Sequence, residues 1–94
     1  VYDDDARVMG NACISGEAEV YHDAKVYGNA KVYGNALIYG RAIVYDNAKV
    51  YDDADVCENA KVFEDARIYG NAKICGIAWV FDNAQVHGNT VVCG

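Results

Sequence analysis

Hydrophobic and polar positions succeed one another along this chain in units of six: Asn or Asp, Ala, a variable residue, Val or Ile, most often Tyr, then Gly or an acid. Asn29-Ala30-Lys31-Val32-Tyr33-Gly34 shows the unit in full. Alanine keeps one phase from Ala6 to Ala84, Thr90 takes the last place, and Val or Ile follows two residues later from Val8 to Val92. Alanine, variable residue and valine alternate as a pleated strand with one buried side requires. Six is even, so every unit turns the same side inward. A helix would advance about 600° over six residues and scatter the alanines and valines around its circumference. The Gly-Asn pair between strands supplies a corner. The expected geometry is a type II turn with positive φ on its third residue, the Asn or Asp.

Strand and corner repeated without interruption make a coil, so the predicted class is all-β. The pattern predicts a single domain over residues 1–94, with an irregular first turn over 1–4 and fifteen units over 5–94. The motif resembles the hexapeptide repeat of left-handed parallel β-helix proteins, in which an aliphatic residue is followed four positions later by a small one; Val32 and Ala36 are such a pair. That resemblance implies three units per triangular coil, a prism of about five coils of 18 residues, and a left-handed path, an exception to the usual crossover hand. Tyr stands here where that family often has Gly. The Asn-Ala-x-Val-Tyr-Gly variant is similar to a subset of bacterial members regarded as acyltransferases.

Composition narrows the function classes. Fourteen acids against eight bases leave a net charge of −6, which argues against nucleic acid as a partner. Hydrophobic residues make up 53%, yet no apolar run approaches the ~18 residues of a membrane helix, and no signal-peptide pattern opens the chain. No unit at either end reads as a polar cap, so both ends are expected to present open β edges that invite pairing.

Function must then lie on the outward positions, which a step of 18 sorts into three faces. The first holds Ile43, Tyr45, Phe63, Trp79 and Phe81, an apolar strip of the kind that marks a partner surface. The plainer alternative is aromatic stacking that stiffens the sheet. The second holds Tyr33, Tyr51 and Tyr69 beside Lys31, Lys49 and Arg67, a surface for an acidic glycan or, more plainly, a solvated face with lysine stems lying along rings. The third stacks Cys57, Cys75 and Cys93. Neighbouring Cα atoms there should lie about 4.8 Å apart, within disulfide reach. In-register parallel side chains match disulfide torsions poorly, which favours a ladder of free thiols over a disulfide. Zinc wants a tetrahedron that three sulfurs in a line do not make. Cys13 falls on another face.

The corners carry less. Asp46, Glu64 and Asp82 line one edge, expected to be solvated in preference to holding Ca²⁺. Ile77 occupies an Asn/Asp slot, and a β-branched residue resists positive φ, which predicts a strained or altered corner there. For catalysis, the acyltransferase resemblance implies a histidine base and an acyl-CoA bound between prisms. His87 points outward on the second face and is the weak candidate, His22 the weaker. No loop interrupts the units to build a donor site, so neither cofactor nor metal is expected. The leading expectation is a non-enzymatic structural β-solenoid that forms homo-oligomers or filaments through its aromatic face and open ends. The alternatives are a fragment of a hexapeptide-repeat acyltransferase and a glycan-binding surface on a fibre-like protein.

Overall fold

A computed structural model describes residues 6–93; the irregular turn expected over 1–4 lies outside the described residues. Each strand is two or three residues long and begins at the variable position of its unit, from Arg7–Val8 to Val91–Cys93. Residues 18 apart pair in parallel: Lys25 with Ile43, Lys31 with Lys49, Leu37 with Asp55. Three five-stranded parallel sheets result, and each coil gives one strand to each. The first sheet runs from Arg7–Val8 to Trp79–Val80, the second from Cys13–Ile14 to Gln85–Val86, the third from Glu19–Val20 to Val91–Cys93. The chain is thus an all-β solenoid of about five turns of 18 residues.

The inward set is the one the alternation marks. Ala30, Val32, Ala48 and Val50 are fully buried, and the largest fully buried side chains are all Val or Ile. No polar or charged side chain is buried among the described residues. Alanine lets three strands converge on a narrow interior while valine fills it, with burial of each valine contributing roughly 1.5–3 kcal/mol. The backbone is satisfied between coils. The amide of residue i donates to the carbonyl of residue i+17, as from Lys31 N to Ala48 O at 3.0 Å and from Asn35 N to Asp52 O at 2.8 Å.

The corners differ from the sequence expectation in one respect. Positive φ falls on the residue before the Asn slot: on Gly28 (φ 70°), Gly34 (φ 70°), Asp46 (φ 61°) and Glu64 (φ 60°), among others. Ala48 N donates to Tyr45 O at 3.3 Å across such a corner, so the turn carries its positive φ on the second residue. Ile77 is corrected by the same observation. Gly76 takes the positive φ (66°), Ile77 takes the ordinary position after it, and Ala78 N closes the corner on Cys75 O at 3.3 Å. The corner at Ile77 is regular.

Candidate functional site

With the inward positions filled by Ala and Val, chemistry is left to the variable residue, the aromatic position and the corners. On the first face, Tyr27, Tyr45, Phe63 and Phe81 stack one above another, with centroids 5.1–5.3 Å apart and planes within 9°. Coil spacing imposes that distance, and it lies in the range where aromatic pairs attract. Trp79 stands edge-on to Phe63 at 6.1 Å, and Lys61 Nζ lies 5.3 Å from the Trp79 ring centre. Burial and the nearby Tyr27, Asp46 and Glu64 raise the Tyr45 hydroxyl above its usual pKa.

The apolar strip is unevenly exposed. Ile43, Tyr45 and Phe63 are half-buried, whereas Trp79 is 58% and Phe81 43% exposed. Ile77, 66% exposed, joins them from the adjoining corner. Sequence reasoning treated Ile77 as a backbone problem. The available signal was its apolar side chain two residues before Trp79, which alternation directs to the same side. Between the corner column and the strand column runs a groove of about 1030 Å³, whose lining includes Arg7, Lys25, Arg41, Lys61, Ile77 and Trp79. Alanine's inward turn leaves the backbone as its floor.

The second face repeats the plan with different chemistry. Tyr33, Tyr51, Tyr69 and His87 stack at 4.9–5.2 Å. Their ring faces are occupied by one another, and the edges are what they show to solvent. The Tyr69 hydroxyl donates to Gln85 Oε1 at 3.2 Å. Burial, then Tyr33 and Tyr69, raise the Tyr51 hydroxyl, with Arg67 acting in the opposite sense. Lys31, Lys49 and Arg67 lie directly in register and line a second groove of about 780 Å³ with Asn29, Asn47 and Asp65. His87 is stacked on Tyr69, and its carbonyl accepts the Thr90 hydroxyl at 2.7 Å. No carboxylate contacts its ring among the described residues.

The third face divides the expected thiol ladder. Cys75 and Cys93 stand in register across one coil, with Cα atoms 4.5 Å apart and their sulfurs in contact. In-register partners one coil apart fall within disulfide reach by distance. Cys57 is a free, buried thiol whose Sγ lies 3.5 Å from Ile74 O; Cys13 is free and exposed on the second sheet. A hydrogen bond with Cys57, followed by burial, raises the Tyr39 hydroxyl above its usual range. Burial likewise raises Asp55, opposed by Lys73, its in-register neighbour.

The corner acids have a structural task that sequence reasoning did not find. The slot with positive φ leaves an outward amide with no place in the ladder. Asp46 Oδ2 accepts the Glu64 amide at 3.2 Å, Asp52 Oδ2 the Gly70 amide at 3.1 Å, Glu58 Oε1 the Gly76 amide at 2.6 Å, and Glu64 Oε1 the Asp82 amide at 2.8 Å. Carboxylates at the Gly slot, each 18 residues before another corner, were the visible signal. In the next slot Asn11, Asn29 and Asn47 link side-chain amides at 3.2–3.3 Å. No group of three or more potential metal ligands converges among the described residues. Among the described residues no helix is long and apolar enough to cross a membrane.

Comparison with known families agrees with this geometry. Residues 30–46 match the family described as the YdcK Beta solenoid repeat. The chain is similar to a solenoid repeat. The match covers one strand of each sheet and the corners between them. No curated protein matches the chain.

Proposed function

We propose that this chain is a structural β-solenoid that associates through the aromatic side of its first face. The observation that carries this reading is the exposed cluster of Ile77, Trp79 and Phe81 at 66%, 58% and 43%. Three large apolar side chains within five positions, beside a groove, form a surface that contact with a second molecule would cover. The stacked rings beneath hold Phe81 in place, so little side-chain freedom is lost on association. Pairing of coil edges is a second contact that the same reading admits.

Sedimentation across concentration tests it. The native chain is expected to sediment as oligomers at high concentration, and Trp79→Ser with Ile77→Ser to remain monomeric while keeping its circular dichroism. A monomeric native chain at ~1 mM would sink the reading.

A second reading has its own observation. Lys31, Lys49 and Arg67 are stacked like charges with no ion-pair partner among the described residues. Like charges directly opposite repel, and a linear acidic glycan would relieve that repulsion. Since the ring faces of Tyr33, Tyr51 and Tyr69 are taken by one another, recognition would run through the cations and ring edges. Silence on an array of acidic glycans removes this reading. Acyl transfer rests on family resemblance alone, and unchanged transferase activity of His87→Ala would remove His87 as its base.

A further inference from the structure

The first-face groove concentrates positive charge on a chain whose net charge is −6. Arg7, Lys25, Arg41 and Lys61 line it against a single acid, Asp23. Arg7 faces Lys25 directly in register, and no carboxylate pairs with Lys25, Arg41 or Lys61 among the described residues. Lys25, Arg41 and Lys61 belong to three successive coils, Lys25 and Lys61 in the strand column on either side of Ile43 and Arg41 in the adjoining corner column, so the groove holds one cation per coil. Ile77 and Trp79 close the same groove at the far end.

The opposite pattern lies on another edge of the same molecule. The corner between the first and second faces carries Asp46, Glu64 and Asp82 on successive coils, with Asp65 beside Glu64. All four are exposed. Asp46, Glu64 and Asp82 stand 18 residues apart in one column, and the groove offers one cation on each of three successive coils, so acids and cations share the coil spacing along one axis. A row of acids on the coil spacing can therefore face a row of cations on the same spacing. Phe81, immediately before Asp82 and exposed, would arrive with the edge beside Ile77 and Trp79.

We infer that the cationic groove of the first face receives the acidic corner edge of a second copy of this chain, Asp46, Glu64, Asp65 and Asp82 lying along Lys25, Arg41 and Lys61. The inference rests on the self-association proposed above and specifies which surfaces meet. The contact joins two different surfaces and is heterologous, so it propagates or closes into a ring instead of ending at a symmetric pair. Complementary potentials set the register and reject other alignments.

Charge reversal tests it. A groove variant, Lys25→Glu with Arg41→Glu and Lys61→Glu, and an edge variant, Asp65→Lys with Asp82→Lys, are sedimented alone and mixed. Each alone is expected to be monomeric where the native chain associates, and the mixture to reassociate one to one. Native association is expected to weaken at least ~10-fold between about 0.05 and 0.5 M NaCl as the Debye length shortens. Asp65→Lys alone, at a side chain with no hydrogen bond among the described residues, serves if the larger variants fail to fold; it is expected to weaken association measurably. Native association that ignores salt, or survives in both reversed variants, overturns this inference and leaves the association reading standing. Undiminished association under saturating poly-L-glutamate likewise overturns it, since an occupied groove could not hold the edge. A native chain monomeric at ~1 mM overturns both.

Discussion

Glu64 Oε1 accepts the backbone amide of Asp82 at 2.8 Å, joining one coil to the next at a corner where the residue has positive φ. The two side chains also interact. The side-chain hydrogen bond with Asp82 raises the Glu64 pKa, the Asp82 amide opposes it, and desolvation and the charges of Asp82 and Asp46 leave the balance raised. A carboxyl whose pKa is higher folded than unfolded binds its proton more tightly in the fold. Its contribution is complete below the unfolded value, about 4.3, and is lost as pH rises through the folded value. Asp82→Asn removes the charge from this pair. Urea unfolding between pH 4 and 7 should then show a shallower loss of stability with rising pH than in the native chain. An unchanged slope would disconnect Asp82 from the Glu64 titration.

Glu58 separates the two consequences of placing an acid at a corner. It sits at φ 61° and accepts the Gly76 amide at 2.6 Å. Glu58→Ala loses the bond and keeps the backbone cost, whereas Glu58→Gly loses the bond and relieves that cost. The alanine variant is expected to be less stable than the glycine variant by about 1 kcal/mol. Chemical denaturation of both measures the difference, and equal midpoints would mean the left-handed corner costs nothing.

Two glycines make a matched comparison of close approach. A Cβ on Gly40 would lie 2.7 Å from the backbone nitrogen of Glu58, whereas one on Gly88 would meet nothing within 4 Å. Both have similar φ, 69° and 67°, so strain cancels between them. Gly88→Ala is expected to cost about 1–2 kcal/mol from φ alone. Gly40→Ala should cost more, because backbone must shift. Thermal melts of the two variants decide it.

The alanine column sets the width of the prism. Ala48 is fully buried between Ala30 and Ala66 of the adjoining coils, which are also fully buried. Ala48→Val adds two methyl groups where three strands converge and is expected to destabilise by about 1–3 kcal/mol through overpacking. A neutral result in denaturant titration would reveal slack in the interior that the burial does not suggest.

Lys49 stands in register between Lys31 and Arg67. Lys49→Glu replaces two repulsive neighbours by two attractive ones. Stability should rise by roughly 0.2–1 kcal/mol at low salt and the gain should shrink as salt is added. A melting temperature that falls, or a gain indifferent to salt, contradicts the like-charge account.

Much of the fold was legible because inward residues are chosen by one local rule. Ala30 and Val32 point inward wherever a strand alternates, whatever lies beyond. Which corner residue takes positive φ was not legible, because Gly34 and Asn35 are both compatible with it and only the closed corner distinguishes them. Ile77 turns on the same point: with positive φ on Gly76, it is no backbone strain and becomes an exposed apolar side chain.

By itself the sequence determined the period, the identity of the buried residues and the sorting of outward residues into columns, since alternation and an even repeat require nothing beyond neighbouring residues. Tertiary structure decided what each column does. Whether stacked tyrosines offer their faces or consume them, whether Cys75 turns to Cys93 while Cys57 turns to a carbonyl, and whether a corner acid turns to solvent or to the next coil's amide all depend on side-chain directions across a gap of about 18 residues. Coil closure sets those directions, and no local stretch of chain contains it.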